Sequence, residues 1–217
     1  MKKILLIFTI FIGIFLAGCN KDKSYIEKNL SEITYLTYRV NTDDFYCNIS
    51  YGEREENYAL DGRSGDKVDF CLVTFYLYEN INENYLPLTV IIDEKNLVCN
   101  LEKNPYTYSF MIDLERELKG DEIIKIKWEE NEYNLIKQEY KFDYESVLKK
   151  MNLEYENEIN ECINNKELNA EFYLKIIDMT QKGIDKIYWC FSIIRDDSKS
   201  YNCLIDVHTG EIVSKNL

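Results

Sequence analysis

The sequence predicts a β-rich protein in two parts: an antiparallel β-sandwich over 32–141, then a small α+β unit over 142–217 with a helix packed on an antiparallel sheet. Three observations predict it. Between Ile33 and Tyr140 the chain runs through short alternating or wholly apolar stretches separated by Gly, Asn and Asp, with no sustained helical period. From about Phe142 the apolar residues recur at three- and four-residue steps instead. Three strand-like runs then follow, the last closing through a Gly-bearing turn.

The chain opens on Met1-Lys2-Lys3, an apolar run from Ile4 to Phe15 broken only by Thr9 and Gly13, and Leu16-Ala17-Gly18-Cys19. A positive end, a greasy middle and small residues before a cut are the parts of an export signal. The apolar stretch is shorter than the roughly 20 residues a spanning helix needs, and Asn20-Lys21-Asp22-Lys23 turns abruptly polar after it. Leu16 to Cys19 resembles the lipobox of bacterial lipoproteins. That resemblance implies that 1–18 is removed, that Cys19 carries diacylglycerol, and that the protein is a membrane-attached lipoprotein on the extracytoplasmic face. Each buried methylene contributes about 0.8 kcal/mol, so two acyl chains hold stably where one does not. Residues 19–31 then serve as lipidated cysteine and tether. No cofactor is expected beyond this covalent lipid.

The chain carries 26 Lys and Arg against 39 Asp and Glu, net −13; without Lys2 and Lys3 the balance is 24 against 39, or −15. Such charge opposes binding to nucleic acid or to anionic lipid headgroups and favours solubility and cationic partners such as metal ions or basic peptides, and it also reads simply as a solvated face. With 2 Pro, 8 Gly and 14% aromatic residues, nothing after the tether marks disorder, and the length suffices for two small cores.

In the first half, Ile33–Val40 and Phe45–Tyr51 alternate as half-buried strands, and Asp61–Gly65 reads as a turn. Val68–Tyr78 is apolar on both faces, which predicts a central strand covered on both sides. Leu86–Ile92 and Leu97–Leu101 flank Asp93-Glu94-Lys95-Asn96, read as a four-residue hairpin loop with Asn96 suited to a left-handed position. Tyr106–Asp113, Ile123–Trp128 and Tyr133–Tyr140 complete the set.

In the second half Asp143 is placed to cap a helix with Glu145 in its first turn. Tyr144, Val147, Leu148, Met151, Tyr155, Ile159, Cys162 and Ile163 then mark one face of one helix or of two in tandem. Glu171–Asp178, Lys186–Arg195 and Tyr201–Val207 running into Glu211-Ile212-Val213 supply the sheet, with Ile187, Trp189, Phe191 and Ile193 pressing on the helix. A helix, a tryptophan-bearing strand, a charged turn, and then Cys203-Leu204-Ile205-Asp206-Val207-His208-Thr209-Gly210-Glu211 resemble a PepSY-type domain, on Asp206, Gly210 and Glu211 in particular. The resemblance implies an extracytoplasmic module that binds or restrains peptidases and other envelope proteins, and it brings no catalytic residues.

Enzyme chemistry is hard to assemble. His208 is the one histidine, and Gly-x-Ser-x-Gly, His-Glu-x-x-His, a phosphate loop and Cys-x-x-Cys are all missing. Six cysteines remain beside Cys19: Cys47, Cys71, Cys99, Cys162, Cys190 and Cys203. Their irregular spacing favours thiols used as small core residues, although a two-residue turn at Asp196-Asp197 would set Cys190 opposite Cys203. Cys162, Cys190, Cys203 and His208 have the ligand count of a Cys3His metal site without a close-spaced pair. The expectation is a lipid-anchored, non-enzymatic binding or adaptor protein of the cell envelope with a protein or peptide partner. The alternatives are a structural or surface-exposed lipoprotein and, behind it, a small envelope hydrolase.

Overall fold

The computed structural model describes residues 25–56, 64–79, 81–165, 167–195 and 199–215, so residues 1–18, expected as a signal segment, and Cys19 lie outside the described residues. The first half contains helix α1 (Tyr25–Lys28) and strands β1 (Leu30–Asn41), β2 (Phe45–Glu55), β3 (Lys67–Leu77), β4 (Tyr85–Ile92), β5 (Lys95–Lys103), β6 (Phe110–Asp113), β7 (Ile124–Trp128), β8 (Asn131–Asn134) and β9 (Ile136–Lys137). The second contains helices α2 (Tyr144–Glu154) and α3 (Glu156–Glu161), a small hairpin of β10 (Ile163–Asn164) and β11 (Glu167–Leu168), and strands β12 (Ala170–Asp178), β13 (Ile187–Arg195), β14 (Ser200–Asp206) and β15 (Ile212–Lys215). The protein is mostly strand, with a large mixed sheet and few helices.

The spacing predicts one sheet system for each half; the pairing joins them into one path, β15-β14-β13-β12-β1-β2-β3-β6-β5-β4-β7-β8. The physical reason is β1. Its 12 residues are long enough to serve twice: Leu30 to Ile33 pair in parallel with Phe172 to Leu174 of β12, while Tyr38 and Arg39 pair with β9. Beyond β8, Leu135 N–H donates to Ile124 O and Gln138 N–H donates to Thr37 O. The path therefore returns to β1, and closure leaves the first half without an open edge there.

Inside that ring lies the first core, with Phe45, Ile49, Val73, Phe75, Val90, Leu101 and Ile126 among its members. Phe45 stacks on Phe75 at 4.6 Å and meets Trp128 edge-on at 5.1 Å. The second core sits between α2, α3 and the sheet: Val147, Leu148, Met151, Tyr155 and Ile159 meet Phe172, Trp189, Phe191, Ile193 and Ile205. Asp143 caps α2 by accepting from Ser146 N–H at 2.9 Å.

Four local expectations are corrected. β3 is central, with Cys71, Val73 and Phe75 in the core and Leu77 against it, but its other face is covered only in part: Phe70 is buried with the Arg54 guanidinium over its ring, Leu72 and Tyr76 are half-buried, and Val68 at the strand's start is 39% exposed. The hairpin after β4 turns on two residues, Asp93 and Glu94, both at positive φ, and Asn96 pairs within β5. The strand expected from Tyr106 begins at Phe110. The tether is also shorter than 19–31, since Ile26 is fully buried and Leu30 starts β1 in the second core.

Candidate functional site

The connector 138–143 carries the chain from the ring to α2, and Phe142 fastens it. Its N–H donates to Val207 O at 3.0 Å and its C=O accepts from Trp189 Nε1 at 2.7 Å. Its ring lies against Gly210, where an added Cβ would come within 2.7 Å of it, and φ there is +71°. Glycine is required at 210 on both counts. Lys150 Nζ sits 5.9 Å from the centre of the same ring and donates to Gly210 O at 2.5 Å.

A cleft opens on each side of Tyr140. One, of about 340 Å³, is lined by Tyr35, Tyr140, Tyr144 and Trp189 together with Asp143, Glu139 and Lys137. The other, of about 310 Å³, has Arg39, Asp185, Lys186, Asp206 and His208 around Tyr140. Tyr35 meets Tyr144 edge-on at 5.3 Å, and Tyr140 meets Trp189 edge-on at 5.4 Å. Burial pushes the Tyr140 hydroxyl up to about 12 and raises those of Tyr35 and Tyr144 as well, so all three stay neutral over the ordinary pH range. The Tyr140 Oη is buried without a well-formed hydrogen bond.

Behind the second cleft the halves are bolted together. Arg39 Nη1 bonds Asp178 Oδ2 at 3.0 Å and Thr180 Oγ1 at 2.8 Å, while Nη2 reaches Asp185 at 3.3 Å. Tyr46 Oη donates to the same Asp178 oxygen at 2.8 Å, and Thr180 N–H donates to Asp178 Oδ1 at 2.8 Å. The Asp178 side chain is 4% exposed, and this set of bonds compensates its desolvation. Burial, followed by the Asp178 charge, drives the Tyr46 phenol far upward.

Asp206, Gly210 and Glu211 form the turn whose shape the sequence suggested. Asp206 Oδ1 accepts from His208 N–H at 2.8 Å and Thr209 N–H at 2.9 Å; Gly210 N–H donates to Asp206 O at 2.9 Å, and Asp206 N–H donates to Glu211 O at 2.9 Å. The His208 and Thr209 amides hold the Asp206 carboxyl below the usual carboxylate range. A depressed folded value stabilises the turn above the unfolded value near 3.8, and this contribution is lost as pH falls through the folded one. The Asp206→Asn variant is therefore expected to lose less stability than the parent between pH 5 and about pH 2.5, measured by urea melts at each pH.

The structure does not bring the metal candidates together. Register pairs Cys190 with Leu204 and Cys203 with Phe191, so Cys203 faces the helix and Cys190 the opposite side of the sheet. Cys203 Sγ lies 3.3 Å from Met151 Sδ, Cys162 Sγ is 3.1 Å from Glu158 O, and His208 stands in the exposed turn. Among the described residues no three His, Cys, Asp or Glu side chains form a metal-binding group. The six described cysteines are thiols, and burial pushes Cys71 up to about 12 and Cys203 to about 11, away from nucleophilic thiolate. Arg39, Tyr140 and Phe142 escaped sequence reasoning; the only signal for Phe142 was its place at the change of apolar period.

Comparison with family models, with curated proteins and with solved structures found no match to this chain. Among the described residues no helix is long and apolar enough to cross a membrane.

Proposed function

We propose that this chain is a lipid-anchored, extracytoplasmic binding protein of the bacterial cell envelope, held by diacylglycerol on Cys19 and acting by binding rather than catalysis. Its residues 32–141 act as a sandwich-type module and 142–217 as a PepSY-like module; two buried cores support this division, although the second also takes in Ile26, Leu30 and Ile33. The partner is an envelope protein, such as a peptidase, that presents a basic segment.

The aromatic cleft at the junction carries this reading. Three tyrosines from both halves line it together with Asp143, Glu139 and one cation, Lys137, whose Nζ is engaged in donating to Gly120 O at 2.6 Å. Neutral aromatic faces next to carboxylates attract an ammonium or guanidinium group, with a cation–π contribution of about 0.5–2 kcal/mol. A side chain seated there touches β1, the connector and α2 together, so binding reports on how the halves are held.

Two measurements test the proposal. Cells fed labelled palmitate should mark the parent polypeptide, whereas Cys19→Ala should lose the label and be released from membranes or accumulate unprocessed. In detergent, a lysine-rich peptide should perturb the NMR signals of the Tyr35, Tyr140 and Tyr144 rings, a glutamate-rich peptide should not, and Tyr140→Ala should weaken the response about tenfold. An unlabelled parent sinks the anchor; ring signals indifferent to the lysine peptide sink the cleft.

A further inference from the structure

At the end of the ring where β1 finishes, the loop between β5 and β6 is built around Asn104. Its Oδ1 accepts from Tyr106 N–H at 2.9 Å and Thr107 N–H at 3.2 Å, its own N–H donates to Ser109 O at 2.7 Å, and its C=O accepts from Tyr108 N–H at 3.0 Å. The Thr107 and Ser109 hydroxyls share a bond of 2.7 Å. On this frame Tyr106 is 90% exposed and Tyr108 62%, and Tyr85, beside Glu102 at the start of β4, is 54% exposed. Neither core needs these rings.

Burying large aromatic side chains is the usual contribution of phenols to a fold, and exposed apolar groups gathered at one place mark an interaction surface. Tyrosine provides a broad contact with little rotamer entropy to lose, and the Asn, Thr and Ser around it adapt their hydrogen bonds. The charge around the rings is one-sided. Asp43, Asp44, Glu79, Glu83, Glu129 and Glu130 are exposed at this end, against Lys127 and Lys103. Lys103 is already committed, donating to Ile81 O at 2.5 Å and lying 5.8 Å from the Phe110 ring centre.

We infer that this end of the ring is a docking surface for a basic protein segment, with Tyr85, Tyr106 and Tyr108 as its contact and the surrounding carboxylates as its electrostatic rim. The partner is fixed by charge complementarity: the rim steers a cationic surface inward and repels an acidic one. The described chain enters at Tyr25, before β1, and β1 spans roughly 36 Å at about 3.3 Å per residue. A tether leading into Tyr25 therefore attaches at the opposite end of β1 from the tyrosines, which face away from the anchor proposed above. The surface is separate from the junction cleft and does not depend on it.

The test is selection of random dodecapeptides displayed on phage against the full-length protein in detergent, with the Tyr106→Ala/Tyr108→Ala double variant and Tyr140→Ala as comparators. Because both exposed positions lie outside the cores, the double variant should keep the parent circular dichroism spectrum. The expected result is a set of enriched peptides with net positive charge that bind the double variant at least about tenfold more weakly, bind Tyr140→Ala as they bind the parent, and weaken as salt rises. Enrichment of neutral or acidic peptides, no enrichment, or peptides that respond only to Tyr140→Ala would overturn the inference. So would tyrosine-dependent binding to phosphatidylcholine vesicles in place of peptides, which would assign the rings to a lipid surface.

Discussion

The Gly52→Ala variant is expected to lose about 3 kcal/mol or more of stability, at or beyond the upper end of overpacking costs. Gly52 pairs with Thr34, and a Cβ there would stand 1.9 Å from Ile33 O and 3.0 Å from the Phe70 ring. The obstructing atom is backbone, so rotamer changes cannot relieve it. It also lies where β1 passes from its parallel partner β12 to the ring, next to the register shift between Thr34 and Leu36. Any retreat of Ile33 must break pairing on one side or the other, and β1 belongs to both. Urea melts should show a midpoint lowered by roughly 1 M or more. The contrasting variant is Gly65→Ala, whose nearest neighbour is Glu55 Cδ at 4.0 Å and which should stay within about 0.5 kcal/mol of the parent. Equal midpoints for Gly52→Ala and the parent would disprove the close approach of the two strands.

The second large effect is expected at Trp189. Its side chain is fully buried, packs in the core under α2, and donates to Phe142 O. Trp189→Ala removes a large core volume and should cost about 3–5 kcal/mol. Trp189→Phe keeps most of the ring area but leaves the Phe142 carbonyl without its donor, which should cost about 1–3 kcal/mol. The phenylalanine variant is informative in another way. The chain has 2 tryptophans, so Trp128, packed on Phe45 and Phe75 in the ring, becomes the only one left to report. Because β1 is shared, Trp128 emission and far-ultraviolet circular dichroism should give the same lowered midpoint. A Trp128 transition left at the parental midpoint would mean that the halves unfold independently.

Many of the strand segments were legible because they rest on local signals. Alternation marked β1 and β2, the Asp93–Asn96 turn set off β4 and β5, and the spacing of Val147, Leu148 and Met151 with a capping Asp143 marked α2. Errors fell where a local pattern admits two readings. An apolar run such as 68–78 has no period to say how many faces are covered, and the layer above β3 is decided by other segments. Asp takes positive φ readily, but Glu94 beside it is not a residue that usually does, so the tighter turn went unseen. Tyr106 to Ser109 looks like strand by composition, yet Asn104 takes the Tyr106 and Thr107 amides on its side chain and the Tyr108 amide on its carbonyl, which holds a loop.

The candidate site was least legible. Asp206, Gly210 and His208 could be marked from a turn pattern. Arg39 with Asp178, 139 residues apart, and Trp189 with Phe142, 47 apart, have no local signature.

The sequence by itself determined the strand and helix segments, the acidic balance, the Asp206 turn and the change of period at the connector, because each depends on near neighbours or on composition. Only the tertiary structure decided that β1 serves two cores, that the first half closes on itself, and that tyrosines from distant segments wall one cleft. Those outcomes depend on which backbone edges find each other across many residues, and no residue states its distant partner in its own neighbourhood.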